Sequence, residues 1–246
     1  MRKLACLVAL ATLPVTAASA ADMALKAPPA AASPFSWTGF YLGGEAGWGV
    51  GSEQITHTTA SGAFPLGFVQ APIDYDGLIG GFYGGYNYQV GQWLAGVDGD
   101  VSLSGIAGMG TDISPVNRDI SNPHSNIDWL ATATGRLGYA NNNWLLFAKG
   151  GWAWAGFSGT SELNTPAGVP VNTSRASEAR NGWTVGAGLE YACSAHWSIK
   201  LEYDYVGFIT ANYILTTTSA AGVVTLESRS ATSALNVVKS GVAYRF

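Results

Sequence analysis

The sequence predicts an all-β fold, an eight-stranded antiparallel up-and-down transmembrane β-barrel, and three observations carry that expectation. Apolar residues alternate with small or polar ones at a period of two through eight separate segments. The 32 Gly and 12% aromatic residues stand beside only 11% charged residues, a mixture that suits many strands and few helices. The chain also ends on a two-faced strand, Ser233 to Phe246, and a closed barrel needs one there because its last strand must pair with its first.

At the N-terminus, Arg2 and Lys3 precede an apolar run from Leu4 to Val15 and the small-residue set Ala18-Ser19-Ala20, the pattern of a signal peptide spanning residues 1–20 and cleaved after Ala20. Its apolar run falls short of the ~20 residues a membrane helix requires, and no later stretch comes near that length. Loss of the leader would leave 10 basic against 16 acidic residues, net −6, which argues against a nucleic-acid partner. Cys6 would leave with it, so Cys193 would remain alone and no disulfide framework is expected. Residues 21–37, with Pro28, Pro29 and Pro34, read as an extended Ala/Pro-rich periplasmic spacer, and 38–246 as the barrel.

In the first strand Phe40, Leu42, Ala46, Trp48 and Val50 share one face, opposite Tyr41, Gly43, Glu45, Gly47 and Gly49. The second runs from Leu78 to Gln89, and after the turn Val90-Gly91-Gln92 the third runs from Trp93 to Ser104, with Asp98, Asp100, Ser102 and Ser104 on its polar side. The fourth, Ile127 to Tyr139, sets Asp128, Thr132, Thr134 and Arg136 opposite Trp129, Leu137 and Tyr139. Asn141 to Asn143 turn the chain into Trp144 to Phe157, and the alternation is most regular in Trp183 to Ala192. Cys193 to His196 lead into Trp197 to Tyr205, and the terminal strand sets Val238, Val242, Tyr244 and Phe246 against Lys239, Gly241 and Arg245. The polar stretches 51–76, 105–126, 158–181 and 207–232 read as four long surface loops, alternating with three short periplasmic turns.

The sizes on the two faces decide which one is inside. Gly, Ala, Ser and Thr crowd the polar face and suit a narrow lumen, whereas the apolar face ends in aromatics such as Trp183 and Tyr191. Those two are eight residues apart, which at ~3.3 Å per residue and a tilt near ~40° projects to about 20 Å, close to the ~25 Å apolar band between aromatic girdles.

Several segments carry a family resemblance: Trp37-Thr-Gly-Phe-Tyr-Leu-Gly-Gly, Gly80-Gly-Phe-Tyr-Gly-Gly-Tyr-Asn-Tyr-Gln, Gly135-Arg-Leu-Gly-Tyr, Gly182-Trp-Thr-Val-Gly-Ala-Gly-Leu-Glu-Tyr-Ala and the closing Tyr244-Arg-Phe. Through them the chain resembles the small porin-like outer-membrane proteins of alphaproteobacteria, also described as surface immunogenic proteins. The resemblance implies a cell outer membrane location in a Gram-negative bacterium and a role in envelope integrity, narrow-pore activity or host contact. The implied partners are outer-membrane lipid and lipopolysaccharide, the barrel-assembly machinery through Val242, Tyr244 and Phe246, and a host or surface ligand at the loops.

Eleven charged residues should face the lumen by alternation: Glu45, Asp98, Asp100, Arg136, Lys149, Glu190, Lys200, Glu202, Asp204, Lys239 and Arg245. They could line an ion path, or pair into a network that fills a barrel too narrow for a water column, and the second reading suits eight strands better. His57 and His124 are expected to be solvated on separate loops and His196 in a turn, without metal-ligand spacing. Nucleophile-elbow and zinc-protease motifs are absent from the sequence, so neither an enzyme nor a cofactor is expected. Gly186 and Gly188 read as lumen-side spacers, with room at Gly188 for a serine.

Overall fold

The computed structural model describes residues 35–61 and 63–246. The expected leader and most of the expected spacer lie outside the described residues. The elements are β1 (Gly39–His57), β2 (Ile73–Val90), β3 (Trp93–Met109), β4 (Asp112–Ile113), β5 (Ile120–Asn141), β6 (Trp144–Asn164), β7 (Pro170–Ala192), β8 (Trp197–Phe208), β9 (Ala211–Ser219) and β10 (Val224–Arg245). Pairing is antiparallel throughout, in the order β1-β2-β3-β5-β6-β7-β8-β10, and β10 returns to β1 with Tyr41 opposite Arg245 and His57 opposite Arg229. The two-residue β4 attaches to β5, and β9 continues β8 beyond an interruption at Ile209 and Thr210, so the ring among the described residues has eight strands.

Backbone sterics select the residues at the tight turns. The first positions of the two-residue turns after β2 and β5 take positive φ, +63° at Gly91 and +52° at Asn142, values that Gly and Asn accept at low cost. Below the barrel, Trp37 donates its backbone N–H to the Gln89 side chain at 2.7 Å and is buried with Leu94, Ala140, Leu145, Phe147 and Ala192. The end of the expected spacer is therefore folded: Phe35 and Trp37 close the lumen at the terminal end, because the ring leaves an apolar socket there.

Outside, cross-strand aromatic pairs circle the same end: Phe40 with Tyr86 at 4.8 Å, Trp93 with Tyr139 at 5.5 Å, and Trp144 with Tyr191 at 4.6 Å between ring centres. Trp183 and Tyr205, 5.3 Å apart, belong to the opposite girdle. Between these levels the exterior is apolar, with Phe82, Val97, Val101, Leu137, Leu146 and Leu201 exposed, as a lipid-facing surface requires.

Four expectations need correction. The long surface loops are mostly strand: β6 and β7 run on to Asn164 and from Pro170, leaving only 165–169 between them, and stretches 51–76, 105–126 and 207–232 likewise contribute to β1, β2, β3, β5, β9 and β10. The strands reach 17 to 23 residues in β3 and β7, well beyond the ~9–11 that cross a bilayer, so the wall continues above the membrane. Asp128 faces outward instead of lying with Thr132 and Arg136, because an irregularity between Ile127 and Trp129 inserts one residue and reverses the alternation. It accepts a hydrogen bond from the Ser158 hydroxyl at 3.0 Å. Finally, Gly188 has no space for a side chain: a Cβ there would lie 2.5 Å from Phe147 Cζ and 2.7 Å from the Leu201 carbonyl oxygen.

Three substitutions test these assignments by urea titration of refolded protein in micelles. Leu189→Arg, facing lipid, should cost about 2–4 kcal/mol. Gly188→Ala, overpacked against Phe147, should cost about 1–3 kcal/mol. Gly135→Ala should be neutral, since its Cβ would meet only the Gly150 carbonyl oxygen at 4.0 Å. Equal losses at all three positions would overturn the assignment of inside and outside.

Candidate functional site

The lumen is the candidate site, and alternation sorts its side chains into layers. Next above the Trp37 socket come the eleven charged residues, and the structure places all of them inside the barrel with nearly all their surface buried. Six carboxylates face five cations, and the strands bring them within ion-pairing reach. Lys149 Nζ lies 2.7 Å from Glu202, 3.4 Å from Asp204 and 3.8 Å from both Asp98 and Asp100. Lys239 Nζ contacts Asp204 at 2.9 Å, Glu45 at 3.1 Å, Glu202 at 3.3 Å and Asp100 at 3.5 Å. Lys200 bridges Glu45 at 2.9 Å and Glu202 at 3.2 Å, with its ammonium 3.5 Å from the centre of the Tyr83 ring.

Arg136 pairs with Glu190 at 2.5 Å and stacks 3.9 Å above the Phe147 ring. Arg245 meets the same carboxylate at 3.5 Å and lies over Trp37, tying the network to the socket below. Tyr41 donates to Asp98 at 2.5 Å, and the Thr132 hydroxyl donates to Asp100. The shared contacts matter because a buried charge deprived of its partner costs about 3–5 kcal/mol. Here every one of the five cations touches at least one carboxylate.

Two features escaped the sequence reading. Above the charged layer, Ile79, Ile106, Leu130, Val206, Leu235 and Val237 meet Tyr75, Ile127, Phe157 and Phe208 in an apolar belt across the lumen. Apart from Ile127, which turns inward at the irregularity before Trp129, their inward position follows from the same period of two that placed the charges, so the signal was present. Above the belt lies a second polar layer. Arg180 donates to Glu53 at 2.6 Å, to Ser233 at 2.7 Å and to Glu178 at 2.6 Å, while Ser125 donates to the other Glu53 oxygen at 2.7 Å. A cavity of about 40 Å³ between Glu53, Arg180, Tyr213 and Arg229 has room for about three waters at ~10–15 Å³ each.

The mouth is capped by 58–61 and 63–72. Phe64 and Phe68 fold inward onto His57, 4.8 and 5.9 Å from its ring, and the His57 and Phe68 backbones share a hydrogen bond of 2.9 Å. His57 is thus buried at the end of β1 and not solvated in a loop, a position that loop-like composition around it concealed. Neither ring nitrogen has a hydrogen-bond partner among the described residues. Burial, reinforced by the Arg229 guanidinium, lowers its pKa to about 4. His124 lies exposed on β5, and His196 stacks on Tyr244 at 5.5 Å, so the three are apart and the described residues hold no cluster suited to a metal.

On the terminal strand Val242 and Tyr244 face outward, Tyr244 packs edge-on against Trp197 and Phe246, and the Phe246 N–H donates to the Phe40 carbonyl at 3.0 Å.

A family model described as outer membrane protein beta-barrel domain matches residues 9–246. The 31 kDa outer-membrane immunogenic protein of Brucella melitensis is 29% identical over 223 residues, covering 85% of this chain and 88% of that protein. The 22 kDa outer membrane protein of Rhizobium leguminosarum bv. viciae is 29% identical over 180 residues, covering 73% and 68%. Among solved structures, the outer membrane protease OmpT from Escherichia coli superposes with a TM-score of 0.53 at 10% identity, over 87% of this chain and 99% of that one, a likeness of fold alone.

The buried His57 makes the cap sensitive to acid. Its ordinary pKa of 6.5 applies when the cap is open and about 4 when it is closed, so between these values the open form binds more protons. Closure is therefore most stable above about pH 6.5 and weakens as pH falls towards 4. Amide hydrogen exchange in 58–72, corrected for intrinsic rates, should be faster at pH 5 than at pH 7, and His57→Leu should abolish the difference. Equal protection in wild type at both pH values would refute the coupling.

Proposed function

The chain belongs to the outer-membrane β-barrel family whose model it matches, and from that premise we propose that it serves as a structural scaffold: it supports envelope integrity and presents an extracellular surface for interaction. The location is the cell outer membrane. The observation that carries the reading is the filled lumen, in which the apolar belt crosses the bore between two ion-paired layers. Ions crossing it would lose hydration against Ile106, Leu130 and Leu235, and an apolar constriction of this kind closes a pore by excluding water. The role is non-enzymatic, in keeping with relatives named as outer-membrane proteins.

The partners follow from the surfaces. Outer-membrane lipid and lipopolysaccharide meet the apolar exterior and its girdles, and the barrel-assembly machinery meets the terminal strand with Val242, Tyr244 and Phe246. The Brucella relative is named an outer-membrane immunogenic protein, which supports exposure of the extracellular end.

Conductance in planar bilayers separates this reading from a narrow or gated porin. Wild-type protein should give small, intermittent openings, and Leu130→Ser with Leu235→Ser, which makes the belt polar, should give larger and longer ones. In cells, loss of the protein should raise sensitivity to detergent. A steady, large wild-type conductance, with unchanged detergent sensitivity, would establish the porin instead.

A further inference from the structure

A second cavity, of about 190 Å³, opens at the extracellular mouth, separate from the charged lumen below the belt. Its size lies under the ~300–1,000 Å³ of drug-sized sites, which limits an occupant to one small ring. The walls carry hydroxyl groups at Ser121, Ser161 and Ser174, each of which both donates and accepts. Ser121 and Ser161 stand 3.0 Å apart on β5 and β6, and Ser174 lies 2.8 Å from Thr217, so the wall oxygens are held in place by their neighbours.

At the rim Asn117 is exposed and donates its amide to Asp119 at 2.7 Å. Arg229 lies 3.3 Å from Glu227, is 5% exposed, and has an Nε without a partner among the described residues. One side is different. Phe64 and Leu163 form a buried apolar cluster with Val171 against it. Hydroxyls, an amide, carboxylates and a spare arginine donor facing one apolar wall complement a ring whose edge is polar and whose face is CH. Two carboxylates against one guanidinium disfavour an anion, and the polar walls disfavour an acyl chain.

We infer that this chamber is a binding site for one neutral sugar ring, a monosaccharide or the terminal unit of a surface glycan. The proposal goes beyond the scaffold role and is independent of whether the lumen conducts, because the belt separates the chamber from the bore. Arg229 donates to ring hydroxyls, Asp119 and Glu227 accept from them, and Phe64 covers the apolar face.

Isothermal titration of refolded full-length protein in micelles tests it, with glucose, galactose, mannose and N-acetylglucosamine as probes and phosphate and decanoate as controls. At least one sugar should give saturable heat and both controls none. Immobilised oligosaccharides ending in that sugar then distinguish a glycan terminus from a free monosaccharide by tighter binding. Ser161→Leu, which projects into the chamber, and Asn117→Ala, at the exposed rim where folding is not at stake, should each weaken binding about tenfold, the effect of one hydrogen bond. Arg175→Ala, exposed on β7, should leave it unchanged. Absence of saturable heat with every sugar, binding of phosphate or decanoate instead, or full affinity in Asn117→Ala and in heat-modifiable Ser161→Leu would overturn the inference.

Discussion

The ladder between β1 and β10 is the contact on which the rest of this structure depends. Lipid offers no hydrogen bonds, so a sheet can cross it only if no edge remains, and the pairing from Tyr41–Arg245 to His57–Arg229 removes the last one. Closure at eight strands then fixes the bore at a width that side chains alone can fill. Interior residues must share that volume, which explains where several glycines fall. Gly43 lies beneath Tyr83, Gly188 beneath Phe147 and Gly186 beneath Asp204; a Cβ at any of the three would overlap its neighbour. Each absent side chain admits a large or charged one from the adjacent strand.

Charges inside so narrow a ring are held by mutual pairing and not by water. Lys149 and Lys239 each approach four carboxylates, so Asp100, Glu202 and Asp204 are each shared between them, while Asp98 pairs with Lys149 alone and accepts a hydrogen bond from Tyr41. Buried ion pairs contribute little net stability because desolvation offsets their attraction, but removing one member exposes the full penalty of the other. The network is thus better suited to fixing the strands' register and filling the lumen than to adding stability. The apolar groups on either side, Trp37 with Leu145 below and Ile106 with Leu130 above, keep water from competing for the same charges.

The sequence exposed most clearly what lies between lipid and lumen, because there the two faces of each strand meet different surroundings. Trp183 to Ala192 alternates cleanly for that reason, and each of the eleven charges could be placed inside from parity alone. Above the membrane both faces are polar, so Ser158 to Asn181 lost its alternation while the backbone remained paired, and strand looked like loop. Asp128 was misplaced by a single inserted residue, which parity counting has no means of detecting. The apolar belt differs from these: Val206 shares its face with Asp204 and Ile79 with Gly81, so it was legible but overshadowed by the charges beside it. His57 was hidden because its burial depends on Phe64 and Phe68 folding back from a segment without periodicity.

The belt also divides the molecule into halves with different constraints. Below it, Tyr41, Arg136, Glu190 and Arg245 are linked to one another and to the socket at Trp37, so a change in any one leaves another group unsatisfied. Above it, Glu53 and Arg180 form a smaller ion-paired group beside a cavity with room for water, and the walls rise into solvent as polar strands. The two halves meet where the Arg180 guanidinium lies 4.1 Å from the centre of the Phe157 ring, so a substitution on the exposed walls away from that contact changes the displayed surface and leaves the belt packed. An outer-membrane protein built in this way can vary at its exposed end while the part within the bilayer continues to close the membrane.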